Sequence, residues 1–433
     1  MSRNTKTLHS RRKFIKTKLL GAFALVSGVP LKLFGNPATD ELKDTSISNL
    51  ADFSWQEIRD EFSFDKKLLY LNTASHGPSP KSVVDRLCVS ITKFESKVKT
   101  GDNYREKSYK RLATFLNTTS EQVAITSNTT ERINIIARSL DLKKGDEVII
   151  SDNEHIGGSA PWIALIKDLE IKVKIVKLDL SGKENLSRIK QAVSSKTKVI
   201  SISHVTCTTG LCLPVKEVVK FCRQQGIYSC IDGAQAVGMI DVDLADLDPD
   251  FYASCGHKWL MGPKGTGILY IKKEVLSQCK PTFVGAYSDS KFDLNTLVLE
   301  YRQDVQRSVF GTRNIPVMIG LTTALDFIDS IGIKRVEKRG KALANRFIQG
   351  LKNTNNISLL SPQDSKYATS IVSVKFLTKN NRKIRIELAE NQQIEFRHIY
   401  ENDLDCIRLS FSIFNNEEEV DKVIQTFKAI AEA

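Results

Sequence analysis

The sequence predicts an α/β protein: a large domain on a mostly parallel seven-stranded sheet, followed by a smaller C-terminal α+β domain. Three observations lead there. Short runs rich in β-branched and aliphatic residues alternate with helix-period segments between Val123 and Ile271, the rhythm of repeated βαβ units. Those runs are apolar on both faces, as strands covered by helices on either side must be. Beyond Ile315 the rhythm gives way to one long amphipathic stretch and a few isolated strands.

At 433 residues, 41% hydrophobic and 26% charged, the chain exceeds one ordinary domain and has the composition of a globular protein with a sizeable core. Its net charge of +13 is concentrated at the start. Residues 1–36 hold Arg3, Lys6, Arg11, Arg12, Lys13, Lys16, Lys18 and Lys32 with no Asp or Glu. The remaining excess is spread without a dense basic block, which argues against a nucleic-acid surface. Ser10-Arg11-Arg12-Lys13-Phe14-Ile15-Lys16 resembles the twin-arginine export motif. The apolar run from Leu19 to Leu33 that follows is interrupted by Gly21, Gly28, Pro30 and Lys32, too short and broken for a settled membrane span. Residues 1–36 are therefore expected to be a signal segment read by the twin-arginine (Tat) export machinery. That places the protein in the periplasm, tethered to the membrane if the segment is retained.

A polar stretch from Asn36 to Asn49 reads as a linker, within an N-terminal arm over 37–69. The large domain is expected over 70–315 and the small one over 316–433. Strands are expected at Val123–Ser127, Glu147–Ser151, Lys172–Leu178, Lys198–His204, Ile227–Asp232, Phe251–Ser254 and Gly267–Ile271, with helices such as Thr130–Ser139, Ser159–Asp168 and Val215–Gln224 between them. In the small domain a helical region runs from Ile315 to about Lys352, weakened at Gly332. Strands follow at Ser370–Phe376, Lys383–Glu387 and Cys406–Phe411, then a helix at Glu417–Ala431. The eight cysteines are scattered, without a C-x-x-C pair; they read as buried free thiols, and no metal site is expected.

Parallel α/β sheets carry ligand groups on the loops beyond the carboxyl ends of their strands, and the unusual polar clusters fall there. Ser127-Asn128-Thr129-Thr130-Glu131 ends a strand and opens a helix, suiting a phosphate or a plain N-cap by Thr129 or Thr130. Asn153-Glu154-His155 follows the next strand, where an imidazole could stack on a planar ring. His204-Val205-Thr206-Cys207-Thr208-Thr209-Gly210 reads equally as a ligand loop or a simple turn. Asp232 ends an apolar strand, and a carboxylate is expensive to bury there without a cation. Lys258 lies twenty-six residues on, before the glycine-rich run Gly262–Gly267 and beside Trp259, Leu260 and Met261. A buried acid with such a lysine suits pyridoxal phosphate (PLP): the lysine forms a Schiff base and the acid holds the pyridine nitrogen protonated.

Seven segments then appear in order: Tyr70-Leu71-Asn72-Thr73-Ala74-Ser75, Thr129-Thr130-Glu131-Arg132-Ile133-Asn134, Glu154-His155, Asp232-Gly233-Ala234-Gln235, Gly256-His257-Lys258, Gly311-Thr312-Arg313-Asn314 and Ile407-Arg408-Leu409-Ser410. On these the chain resembles the class V aminotransferase-fold enzymes, and most resembles their isopenicillin N epimerase-like members. The resemblance implies the PLP-transferase type I fold, with Lys258 as the catalytic lysine and Asp232 on the pyridine nitrogen. It implies Gln235 near the ring hydroxyl, His155 stacked on the ring, and Thr129 or Thr130 with His257 on the phosphate. Thr312 would reach the cofactor phosphate of a partner subunit, implying a homodimer, and Arg408 would clamp a substrate carboxylate bidentately. Cys207 and Cys255 depart from the family pattern, where an Asn and a Ser are usual.

The expected reaction is transamination of an amino acid or peptide-like amino metabolite. Cα epimerisation and β-elimination are alternatives from the same chemistry, and a catalytically silent binding protein is an alternative of another class. Cysteine desulfuration is disfavoured because Arg382–Asp405 contains no cysteine and Cys406 lies only two residues before Arg408; the short loop around Arg397-His398-Ile399-Tyr400 leaves room for a bulkier substrate.

Overall fold

The computed structural model describes residues 50–65, 67–98 and 101–433. The twin-arginine segment, its apolar run and the polar stretch to Asn49 lie outside the described residues. Strands follow in the order β1 (Leu69–Tyr70), β2 (Val123–Thr126), β3 (Glu147–Ser151), β4 (Lys172–Val176), β5 (Thr197–Ser203), β6 (Tyr228–Asp232), β7 (Phe251–Cys255) and β8 (Gly267–Ile271). Then come β9 (Asp289–Asp293), β10 (Val298–Tyr301), β11 (Ile357–Leu359), β12 (Ile371–Phe376), β13 (Ile394–Glu395), β14 (Arg397–Ile399) and β15 (Cys406–Ser410).

The large sheet has seven strands in the order β2-β8-β7-β6-β5-β3-β4. It is parallel except for β8, which runs antiparallel to both neighbours. Every residue of β2, β3, β7 and β8 is buried, the physical reason these segments are apolar on both faces. On one side Ile133, Ile136 and Leu165 from the helices Thr129–Ser139 and Ile156–Leu169 pack with Val148, Ile150, Phe251 and Leu269. Each such side chain contributes roughly 1.5–3 kcal/mol by leaving water. Trp162 is wholly buried there and donates its indole N–H to Ser201 Oγ at 2.9 Å.

The helical region beyond Ile315 is two helices, Ile315–Ile331 and Ile333–Leu351, meeting at 77°. Gly332 between them has φ 89°, a backbone state that glycine adopts without a Cβ penalty. The second sheet, in the order β11-β12-β15-β14, is antiparallel and packs with the helix Glu417–Glu432 around Phe347, Phe376, Phe411 and Phe427.

Two expectations need correcting. Lys383–Glu387 is not a strand but part of the helix Asn381–Gln392. Its Lys-Ile-Arg-Ile-Glu alternation mimics a strand over five residues, but Ile384 and Leu388 are buried at i, i+4 and Asn380 Oδ1 caps Lys383 N at 2.9 Å. The supposed loop around Arg397 is β14, an edge strand paired with β15. The eight cysteines are free and six of them are buried.

Candidate active site

The loops after β2, β3, β5, β6 and β7 converge on one cavity of ≈ 390 Å³, a size suited to a small ligand. Lys258 and His257 enter from beyond β7, Asp232 and Gln235 from β6, Cys207 from beyond β5, His155 from beyond β3, and Thr129 and Thr130 from beyond β2. Ser75 and His76 close one side, and Arg397 reaches in from the second sheet.

Asp232 is 8% exposed, and its Oδ1 accepts from Ala234 N at 2.9 Å. Burial pushes this carboxyl up, while the Ala234 N–H and the nearby Lys258 pull against that. No cation among the described residues forms an ion pair with it, so its surroundings suit a ligand that brings a positive charge. A Cβ added at Gly158 would sit 3.2 Å from Asp232 Oδ2 and 3.6 Å from Glu154 Oε2, so the seat beside the two acids depends on that glycine. Lys258 is held by the backbone: Gly77 N donates to His257 O at 2.8 Å and Met261 N to Lys258 O at 3.1 Å.

At the opposite end, the helix Thr129–Ser139 is capped by Asn128, whose Oδ1 accepts from Glu131 N at 2.9 Å. Neither Thr129 nor Thr130 is the N-cap. Thr129 Oγ1 and His257 Nδ1 are enclosed without a hydrogen-bond partner, and both residues line the cavity. Unspent buried polar groups at a helix N-terminus suit a phosphate. A cationic ring nitrogen at one end and a phosphate at the other, with an amine between, match PLP on this chain's own geometry.

His155 lines the cavity and also caps the helix Ile156–Leu169, its Nδ1 accepting from Gly157 N at 3.0 Å. Burial is the main cause that takes its imidazole down to about 4, with Lys258 adding to it. Gln235 is committed to the protein: its Nε2 donates to Ala74 O at 2.9 Å and its Oε1 accepts from Trp259 Nε1 at 2.8 Å. Thr312 is exposed and does not line the cavity of its own chain.

Arg408 is 0% exposed, on the interior strand β15, and is not among the residues that line the cavity. It donates to Cys207 O at 2.8 Å, Ser75 Oγ at 2.8 Å and Asn72 Oδ1 at 3.1 Å, leaving Nε unpartnered. Burial is the main cause that takes it down to about 10, still charged at neutral pH. Arg397 was missed as a site residue. It is the register partner of Arg408 across β14 and β15, so the two cations share a sheet face, and it pairs with Glu401. The signal available was its place at the end of an alternating run, read instead as a short loop.

The family model described as Aminotransferase class-V matches residues 69–423, and the chain belongs to that family of enzymes, with pyridoxal phosphate as cofactor. Among curated relatives, it is 26% identical over 405 residues to a probable cysteine desulfurase of Pyrococcus abyssi (strain GE5 / Orsay), covering 87% of this chain and 96% of that one. It is 28% identical over 397 residues to a cysteine desulfurase of Haloferax volcanii, covering 84% and 90%. Among solved structures, the apo structure of a cysteine desulfurase from Thermococcus onnurineus NA1 superposes with a TM-score of 0.79 at 25% identity, covering 87% and 98%.

These findings overturn two expectations. The similar proteins are cysteine desulfurases, not isopenicillin N epimerase-like proteins. They also overturn the reading of an aminotransferase with desulfuration disfavoured. That reading searched for a thiol in one stretch of sequence, whereas the cavity wall itself carries two, Cys207 and Cys255.

Proposed function

We propose that this protein cleaves the carbon–sulfur bond of cysteine or a close cysteine derivative and passes the sulfur to a thiol, with a homodimer as the working form. Support comes from the relatives and from one feature of the cavity: the Cys207 thiol shares it with Lys258 and Asp232. When bound, pyridoxal phosphate supplies an aldehyde for the substrate amine and a ring that stores the electron pair left at Cα.

The protein's residues do the rest. Asp232 would hold the ring-nitrogen proton in place, and Thr129 and His257 would turn their unpartnered groups to the phosphate. The Lys258 amine takes the Cα proton and returns it. Arg397, which lines the cavity, and its register partner Arg408 would receive the substrate carboxylate, Arg397 leaving Glu401 to do so. Burial pushes the Cys207 thiol up, opposed by Arg408 and Lys258, so it waits as a thiol. On attack, the new S–S bond forms as Cβ–S breaks, and the bonding pair stays with carbon. Cβ takes the proton that the thiol gives up. Alanine and a Cys207 persulfide result, with no outside oxidant.

Exposed apolar side chains support the homodimer. Around the β9–β10 hairpin, Phe292, Leu294, Leu297 and Leu299 are exposed alongside Phe283 and Val284, an apolar surface that favours a protein partner. The test is to give the loaded protein L-cysteine with dithiothreitol and quantify products. Equimolar alanine and sulfide are expected, and without reductant a persulfide on Cys207 by mass spectrometry. Release of a keto acid without sulfide would defeat the proposal.

A further inference from the structure

The mechanism leaves one enclosed acid unused. Glu154 follows β3 and is half-buried as a residue, yet its carboxyl group is enclosed. It accepts from Ser151 Oγ, from Ser203 N at 3.1 Å and from Ser203 Oγ at 2.6 Å. Ser203 ends β5 and is the register partner of Asp232 on β6. The two acids therefore sit on either side of one serine. Oxygens of both lie within 3.6 Å of the point where a Gly158 Cβ would stand, so they face the same small space.

We propose that Glu154 is a positioning residue for the cofactor's ring nitrogen: held behind Asp232 by Ser151 and Ser203, its carboxyl sets how much negative charge stands behind Asp232 at that nitrogen. This rests on the reading of Asp232 as the residue at that nitrogen. The groups facing Glu154 are Asp232 and Cys230 from β6, Ser203 from β5, and Ser151 from its own segment; Lys258 acts on Asp232 from beyond β7. Enclosure raises the Glu154 carboxyl to about 7, opposed by the Ser151 and Ser203 bonds and reinforced by the charge of Asp232. Two carboxylates this close do not both ionise freely. With Glu154 protonated, no second carboxylate charge stands behind Asp232. Above pH 7 a second negative charge appears behind it and draws the ring nitrogen more firmly into its protonated state.

The test compares wild type, Glu154→Gln, Glu154→Asp and Asp232→Asn by two readouts that do not involve turnover. In the cofactor-free protein, infrared spectroscopy should show a protonated-carboxyl band that titrates near pH 7 and is absent from Glu154→Gln. In the loaded protein, the visible spectrum should carry a component titrating near pH 7 that Glu154→Gln lacks and Glu154→Asp restores in part. Should Glu154→Gln fail to fold, Ser203→Ala serves, since loss of one hydrogen bond to the carboxylate must move both titrations to higher pH. An unchanged titration in Glu154→Gln or in Ser203→Ala overturns the role of Glu154. If Asp232→Asn leaves the spectrum of the loaded protein unaltered, the reading of Asp232 fails as well.

Discussion

Replacing Gly77 by alanine should displace Lys258, the lysine proposed to do the chemistry, without touching its side chain. A Cβ at Gly77 would lie 1.7 Å from the Lys258 carbonyl oxygen, 2.8 Å from its carbon and 3.3 Å from its Cα. An ordinary contact needs roughly 3.5 Å, so the two backbones must part by more than roughly 1.5 Å. All three atoms are backbone, and no side chain can rotate away to absorb the change. The movement also strains the hydrogen bonds Gly77 N to His257 O and Lys264 Nζ to Gly77 O, each 2.8 Å. Overpacking of this kind costs about 1–3 kcal/mol, which a chain of this size tolerates. The larger effect falls on chemistry, since about 1 Å of misplacement at a reacting group costs on the order of 10²-fold. The assay is a titration of Gly77→Ala with pyridoxal phosphate followed by visible absorbance, alongside a thermal melt and the cysteine reaction. A folded protein with turnover reduced by about two orders of magnitude is expected. Wild-type cofactor uptake, turnover and melting together would show that the loop and Lys258 are not coupled.

Arg408→Met keeps much of the buried volume but leaves Cys207 O, Ser75 and Asn72 without their donor. It should destabilise by about 1–3 kcal/mol and raise KM for cysteine more than it lowers kcat; an unchanged KM removes Arg408 from carboxylate binding. His204 is brought from 6.5 down to about 4 by burial, with its Nδ1 3.0 Å from Tyr252 Oη. A depressed histidine contributes stability that is full above pH 6.5 and is lost as pH falls towards 4, because the unfolded chain takes up the proton first. The melting-temperature gap between wild type and His204→Gln should therefore be widest above pH 6.5 and close on acidification to pH 4. A gap independent of pH would contradict this.

The large sheet was legible because burial on both faces leaves a simple mark. Glu147–Ser151 and Gly267–Ile271 read from sequence coincide with β3 and β8. The polar clusters after the strands were legible for the same topological reason, since strand ends are where such a fold can spend polar residues. Short elements in the second sheet were not. In Lys383–Glu387 a five-residue alternation outweighed the 3.6-residue spacing visible only over twelve positions, and β14 has three residues, too few to show a period. Asn128 as the N-cap was within reach, because Asn caps as well as Thr. Which of three adjacent polar residues caps is decided by backbone geometry, not composition.

Whether a thiol is available to accept sulfur is a question of space, and distance along the chain answers it badly. A cavity formed where five strands end, and closed by Ser75, His76 and Arg397, gathers residues from seven separate stretches of sequence. Cys207 precedes Arg408 by 201 positions, yet its carbonyl accepts from the Arg408 guanidinium at 2.8 Å. A search confined to Arg382–Asp405 tests one segment and passes over a cysteine whose backbone is hydrogen-bonded to the arginine expected to seat the substrate carboxylate. The thiol on the wall also differs in kind from one on a mobile loop. Enclosed by Arg408 and the β5 turn, Cys207 is shielded from bulk oxidants and held protonated by burial, and thiolate character is what makes a cysteine reactive. Its reactivity should therefore depend on substrate occupying the cavity. Iodoacetamide labelling of Cys207 should be slow in the free protein and slower still with a cysteine analogue bound, whereas persulfide formation should need cysteine itself. Rapid labelling of Cys207 in the free protein would refute an enclosed, substrate-gated thiol.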